Sequence, residues 1–83
     1  MTASNRDRLK QLLLDVFLLD TSEFRWDLAR AEVDTWDSLG TVSLAVGVQE
    51  VFGYHMAPAE ATGIKSVADV VALLSDRGIA LAE

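Results

Sequence analysis

Cysteine is absent from this 83-residue chain, which removes disulfides, thiolate metal sites and cysteine nucleophiles together. The single histidine, His55, leaves nothing from which a zinc cluster or a Cys-His pair could be assembled. Proline occurs once and glycine five times, with no low-complexity stretch and no internal repeat, so neither a linker nor a second module is expected. No apolar run approaches membrane-spanning length, and the polar opening Met1-Thr2-Ala3-Ser4-Asn5-Arg6-Asp7 leads into no signal-peptide segment. The expectation is one domain over residues 1–83, soluble and cytoplasmic, held together by packing alone.

Basic side chains are missing from one long stretch. Residues 1–30 balance Arg6, Arg8, Lys10, Arg25 and Arg30 against Asp7, Asp15, Asp20, Glu23 and Asp27. Residues 31–64 carry Glu32, Asp34, Asp37, Glu50 and Glu60 with no Lys or Arg, so most of the net charge of −6 sits there. This argues against nucleic acid, whose phosphates need a basic footprint, and favours basic protein surfaces as partners, with ordinary acidic solubility as the alternative. Glu32, Asp34 and Asp37 lack the alternating ligands and central glycine of a calcium loop, and no metal is expected. A glycine-rich phosphate cradle is also lacking.

What the chain does have is a 51% apolar composition laid out at helical spacing. Leu9, Leu12, Leu13, Val16 and Phe17 follow the capping sequence Ser4-Asn5-Arg6-Asp7, which predicts a first helix over about residues 4–19. From Asp20 to Asp37 the periodicity dissolves into a long first loop with at most a short turn at Leu28-Ala29-Arg30-Ala31. Phe24, Trp26, Leu28 and Val33 are expected to pin this loop to the core.

Asp37 or Ser38 can cap a second helix running to about Phe52, ended by a left-handed Gly53. Leu44, Val48, Val51 and Phe52 form a stripe suited to the core, whereas Leu39, Val42 and Val46 form a second stripe beside Ser38. The second stripe needs a partner, a ligand, or cover from the loop or a later helix. Gly40 and Gly47 cost about 1 kcal/mol each relative to alanine, with close packing or mobility as the reason. Pro58 to Gly63 reads as a short third helix. Ser66-Val67-Ala68-Asp69 opens a fourth, through Val70, Val71 and Leu74 to Gly78. The predicted fold is all-α, a small four-helix bundle of three main helices and one short one with a long first loop.

Ser38 has no neighbouring base, and such a hydroxyl is a poor nucleophile. A Ser-His-Asp triad would require His55, which the spacing does not support. Two readings remain. Ser38, or Asp37, only caps the helix, worth about 1 kcal/mol; or Ser38 is a substrate whose base comes from another protein. Neither makes the chain an enzyme.

The pattern resembles the acyl carrier protein family. The likeness runs through Trp36-Asp37-Ser38-Leu39-Gly40-Thr41-Val42-Ser43-Leu44 and Val48-Gln49-Glu50-Val51-Phe52, and ends in Ile64-Lys65-Ser66-Val67-Ala68-Asp69-Val70-Val71. The resemblance implies that Ser38 receives 4'-phosphopantetheine from coenzyme A, transferred by a separate magnesium-dependent phosphopantetheinyl transferase (the holo-carrier synthase). The thiol of the arm would then hold acyl groups as thioesters. Asp37 would cap the helix and help engage the synthase. Leu39, Val42, Val46 and Glu50 would face partner enzymes, and Met56, Ala61 and Ile64 would form the third-helix side of the acyl groove. Implied partners are the transferase, an acyl-loading ligase or transferase and downstream biosynthetic enzymes, with the carrier a monomer bound to neither nucleic acid nor membrane.

Gly40, Ser43 and Gln49 stand where fatty-acid carriers usually place acids. With fewer charges to steer partners, apolar complementarity gains weight, which shifts the expectation from housekeeping fatty-acid synthesis to polyketide, modified amino acid or lipid assembly. The Gly-Gly-x-Ser approach of peptidyl carriers is not matched by Trp36-Asp37, so an aminoacyl or peptidyl load is the less favoured alternative. An unmodified helical interaction module is a further one, and a hydrolase using Ser38 the remotest.

Overall fold

The computed structural model describes residues 4–81; the opening Met1-Thr2-Ala3 and the last two residues lie outside that range. Its helices are α1 (Asn5–Phe17), α2 (Ser38–Phe52), α3 (Pro58–Gly63) and α4 (Val67–Asp76), with 3-10 turns at Thr21–Glu23 and Arg30–Glu32 in the first loop. This is the all-α bundle of three main helices and one short helix expected from the pattern. Leu9, Leu13, Phe17, Leu44, Val48, Val67, Val70 and Leu74 fill its centre, each essentially inaccessible to solvent. Among the described residues no helix is long and apolar enough to cross a membrane.

α1 begins as its capping sequence requires, with the Ser4 hydroxyl accepting the Asp7 amide at 3.1 Å. It ends two residues before the expected point, because Leu18 turns into the left-handed region at φ 55°. A leucine there carries a steric cost of about 1–2 kcal/mol, and no glycine or proline marks the stop in the sequence.

The long loop is pinned to the core by the four residues expected, with one further anchor. Leu28 and Val33 are buried as expected, but Phe24 and Trp26 lie on the rim of the core, packed edge-on against each other at 4.9 Å. The deepest aromatic anchor is Trp36, 3% exposed and stacked on Phe17 at 4.6 Å. A backbone stitch ties the loop to the start of α4: the Arg30 amide donates to the Lys65 carbonyl at 2.7 Å and the Val67 amide to the Leu28 carbonyl at 2.9 Å. These bonds flank an isolated bridge between Ala29 and Ser66, a pairing over some 37 positions that local sequence patterns do not reveal.

Both internal glycines of α2 are there for close packing. A Cβ on Gly40 would run into the Thr35 carbonyl oxygen, and one on Gly47 into a methyl of Leu12. Gly53 caps α2 at φ 72° as expected. Gly63 does not cap α3 in the left-handed conformation; the helix closes at Ile64 in extended backbone.

α3 is held by one carboxylate. Glu60 Oε1 accepts the Tyr54 hydroxyl at 2.5 Å and the Ala57 amide at 3.0 Å, while Oε2 accepts from Arg77 at 2.7 Å. The tyrosine bond, then the amide, then the guanidinium hold the Glu60 carboxyl down at about 2. Its stabilising contribution is therefore complete above the ordinary value of 4.5 and is lost as the pH falls through about 2. Glu60→Gln should lower stability at neutral pH and flatten the pH dependence of the melting temperature between those two values. An acid limb as steep as wild type would contradict this account of α3.

Candidate functional site

The start of α2 is fixed from three directions. Trp36 stacks beneath it on Phe17, the Thr35 hydroxyl donates to the Phe17 carbonyl at 2.6 Å, and Arg30 Nε donates to the Trp36 carbonyl at 3.1 Å. The Trp36 indole Nε1 is buried with no acceptor among the described residues. On this base Asp37 caps the helix: its Oδ1 accepts the Gly40 amide at 2.9 Å, and its carbonyl accepts the amide and the hydroxyl of Thr41.

Ser38 is thereby released from capping. It is the first helical residue, exposed, and its hydroxyl has no hydrogen-bond partner among the described residues. From it a pocket of about 380 Å³ runs between α2, the connection carrying His55 and Met56, and α3. Ser38, Val42, Val46, Met56 and Ala61 all line this pocket. The other expected site residues lie elsewhere. Leu39 is 78% exposed to one side of it, and Ile64 is buried in the core below α3. Glu50 borders a separate crevice toward α1, with Arg8 and Gln11.

The stripe of Leu39, Val42 and Val46 is not covered by the loop or by a later helix within the described residues; Val42 and Val46 remain 61% and 51% exposed. Sequence reasoning overlooked Thr41, Ala45 and Gln49 as pocket residues, although they follow Ser38 at i+3, i+7 and i+11, the spacing of one helix face. Arg30 and His55 also line the pocket. Nothing local in the sequence places either of them there.

The site is built to present a hydroxyl rather than to activate it. His55 shares the pocket with Ser38, but its Nδ1 meets Gln49 Oε1 at 3.1 Å and no hydrogen bond joins it to the serine. Asp37 is committed to the cap. Glu32 accepts the Ala29 amide and pairs with Arg25 at 2.7 Å, which hold its carboxyl below the usual range, so it stays ionised, engaged and a weaker base. No base within the described residues stands within hydrogen-bond reach of Ser38, the geometry general-base catalysis needs.

One comparison supplies a relative. Polyketide-8 synthase acyl carrier protein 2 of Streptomyces avermitilis is 32% identical over 76 residues, covering 92% of this chain and 87% of that protein. No family model matches the chain, and no solved structure matches it.

Proposed function

The chain belongs to the acyl carrier protein family, and from that premise we propose that Ser38 bears a 4'-phosphopantetheine arm through which the protein carries acyl intermediates. The arm supplies a terminal thiol that holds the cargo as a thioester. The observation that carries this reading is the placement of Ser38: exposed, relieved of capping by Asp37, and opening onto an apolar pocket.

Loading is a phosphoryl transfer. Ser38 Oγ attacks the phosphorus that bears pantetheine in coenzyme A, the Oγ–P bond forms, and the bond to adenosine 3',5'-bisphosphate breaks. The base that takes the hydroxyl proton belongs to the transferase, consistent with the lack of one at Ser38. Asp37 keeps the helix start rigid, so the hydroxyl is offered in one position. Val42, Val46, Met56 and Ala61 give an acyl chain an apolar wall, and exposed Leu39, with the outward faces of Val42 and Val46, offers enzymes a contact surface.

The pathway we propose is polyketide assembly, in line with the name of the Streptomyces relative and with an α2 that carries Gly40, Ser43 and Gln49 in place of acids. The partners are then a phosphopantetheinyl transferase, an enzyme that loads the acyl group and enzymes that extend or modify it. The uncovered Leu39, Val42 and Val46 stripe also suits an unmodified interaction module, and one experiment separates the two. Incubated with coenzyme A, magnesium and a broad-specificity phosphopantetheinyl transferase, the protein should gain the mass of one phosphopantetheine. An unchanged intact mass would favour the unmodified module.

A further inference from the structure

Most cations of the described chain are engaged. Arg25 pairs with Asp27 and Glu32, and Arg77 with Glu60. Arg8 donates to the Val51 carbonyl, Arg6 lies over the Trp26 ring and Lys10 over Phe24. Arg30 and Lys65, like Arg6, Arg8 and Lys10, have no carboxylate partner among the described residues, and the 2.7 Å bond between the Arg30 amide and the Lys65 carbonyl holds the two residues side by side. Two like charges fixed together without a counter-charge call for an anion.

Their positions say which anion. Arg30 is the one Arg or Lys among the residues lining the pocket that contains Ser38, while Lys65 borders a neighbouring crevice that has Arg30 in common with it. The bond from Arg30 Nε to the Trp36 carbonyl anchors the guanidinium two residues before the serine and leaves its terminal nitrogens as donors. The first-turn amides of α2 add positive potential on the same side. Against this, Asp37 adjoins Ser38 and Asp34 lies close by in sequence, so a phosphate on the serine would meet repulsion without a local cation.

We propose that Arg30 clamps the phosphodiester of the arm on Ser38, directing the arm from the start of α2 into the pocket between α2 and α3. The inference rests on the attachment reading above. The planar guanidinium matches the two non-bridging oxygens of a phosphodiester, which a lysine ammonium meets only as a point charge.

The test uses the holo-protein, with attachment verified by intact mass, and reads the ³¹P resonance of the diester against the same protein unfolded in urea. The wild-type resonance should be displaced from the unfolded value and should relax toward it as salt is raised, since an exposed ion contact is screened. Arg30→Gln should bring the resonance to the unfolded value with α-helical content retained. Arg30→Lys should restore part of the displacement, and Lys65→Gln should keep more than half of it.

A wild-type resonance that neither differs from the unfolded one nor responds to salt would overturn the clamp, whatever the variants do. An Arg30→Gln resonance identical to wild type would also overturn it, even if loading by the transferase slowed, because Arg30 would then serve the transferase instead. Equal effects of Arg30→Gln and Lys65→Gln would replace the clamp by a diffuse field. Failure of any arm to attach would remove the attachment reading itself, and the mass spectrum distinguishes that outcome from the others.

Discussion

Phe17→Ala is expected to destabilise the protein by about 3–5 kcal/mol, the cost of emptying a well-packed aromatic site. Phe17 is 1% exposed and ends α1, and its ring is the platform on which Trp36 stacks at 4.6 Å. Removing it leaves a cavity under a tryptophan whose indole nitrogen has no acceptor among the described residues. Small domains are marginal, with total stabilities of about 5–15 kcal/mol, so the variant should be partly unfolded at 37 °C. Loading at Ser38 should fall with the folded fraction. Urea unfolding measures the first effect and the rate of mass increase the second. The contrast is Leu39→Ala, at a 78% exposed position of the same site, where the change should stay within about 0.5 kcal/mol. Comparable losses at the two positions would contradict this division between platform and surface.

Gly40→Ala should destabilise by about 1–3 kcal/mol, the usual range for overpacking, although alanine is the better helix former by about 1 kcal/mol. The added methyl would meet the Thr35 carbonyl oxygen, a backbone atom, with Phe17 Cε1 at 3.1 Å on its other side. Neither can give way freely, because Thr35 is bonded to the Phe17 carbonyl and Phe17 is stacked on Trp36. Gly47→Ala meets only the end of the Leu12 side chain, which can change rotamer, so its cost should be the smaller of the two. A Gly40→Ala variant more stable than wild type would mean that propensity outweighs packing here. The separation of α1 from the start of α2 would then not depend on glycine.

The helices were legible because their signals are local. Ser4, Asp37 and Ser66 each cap the helix they precede, and Gly53 closes α2 as its position implies. The end of α1 was not legible, since the residue that turns left-handed is Leu18, which gives no warning of it. The loop anchors were legible in part, but the depth of Trp36 was not. Phe24, Trp26, Leu28 and Val33 look equivalent as anchors in the sequence, and the long-range stitch of Arg30 and Val67 to Lys65 and Leu28 is not visible in local patterns.

The site divides along the same line. Val42 and Val46, expected beside Ser38 from spacing, and Met56 and Ala61, implied by the resemblance to the family, line the pocket that contains Ser38. Ile64, which the same resemblance implies, is buried in the core, and Glu50 borders the crevice toward α1. Arg30 reaches the pocket from the loop through its bond to the Trp36 carbonyl, a relation between residues six positions apart in irregular backbone that no periodicity encodes.

The claim on which the account turns is that one arm is attached, and that Ser38 bears it. Tandem mass spectrometry of protein co-produced with a phosphopantetheinyl transferase tests it most directly, by locating the modification on a proteolytic fragment. The account predicts a single phosphopantetheine on Ser38 and none on Ser4, Ser22, Ser43, Ser66 or Ser75, with Ser38→Ala left unmodified. An arm on any other serine, or one that persists in Ser38→Ala, would contradict it.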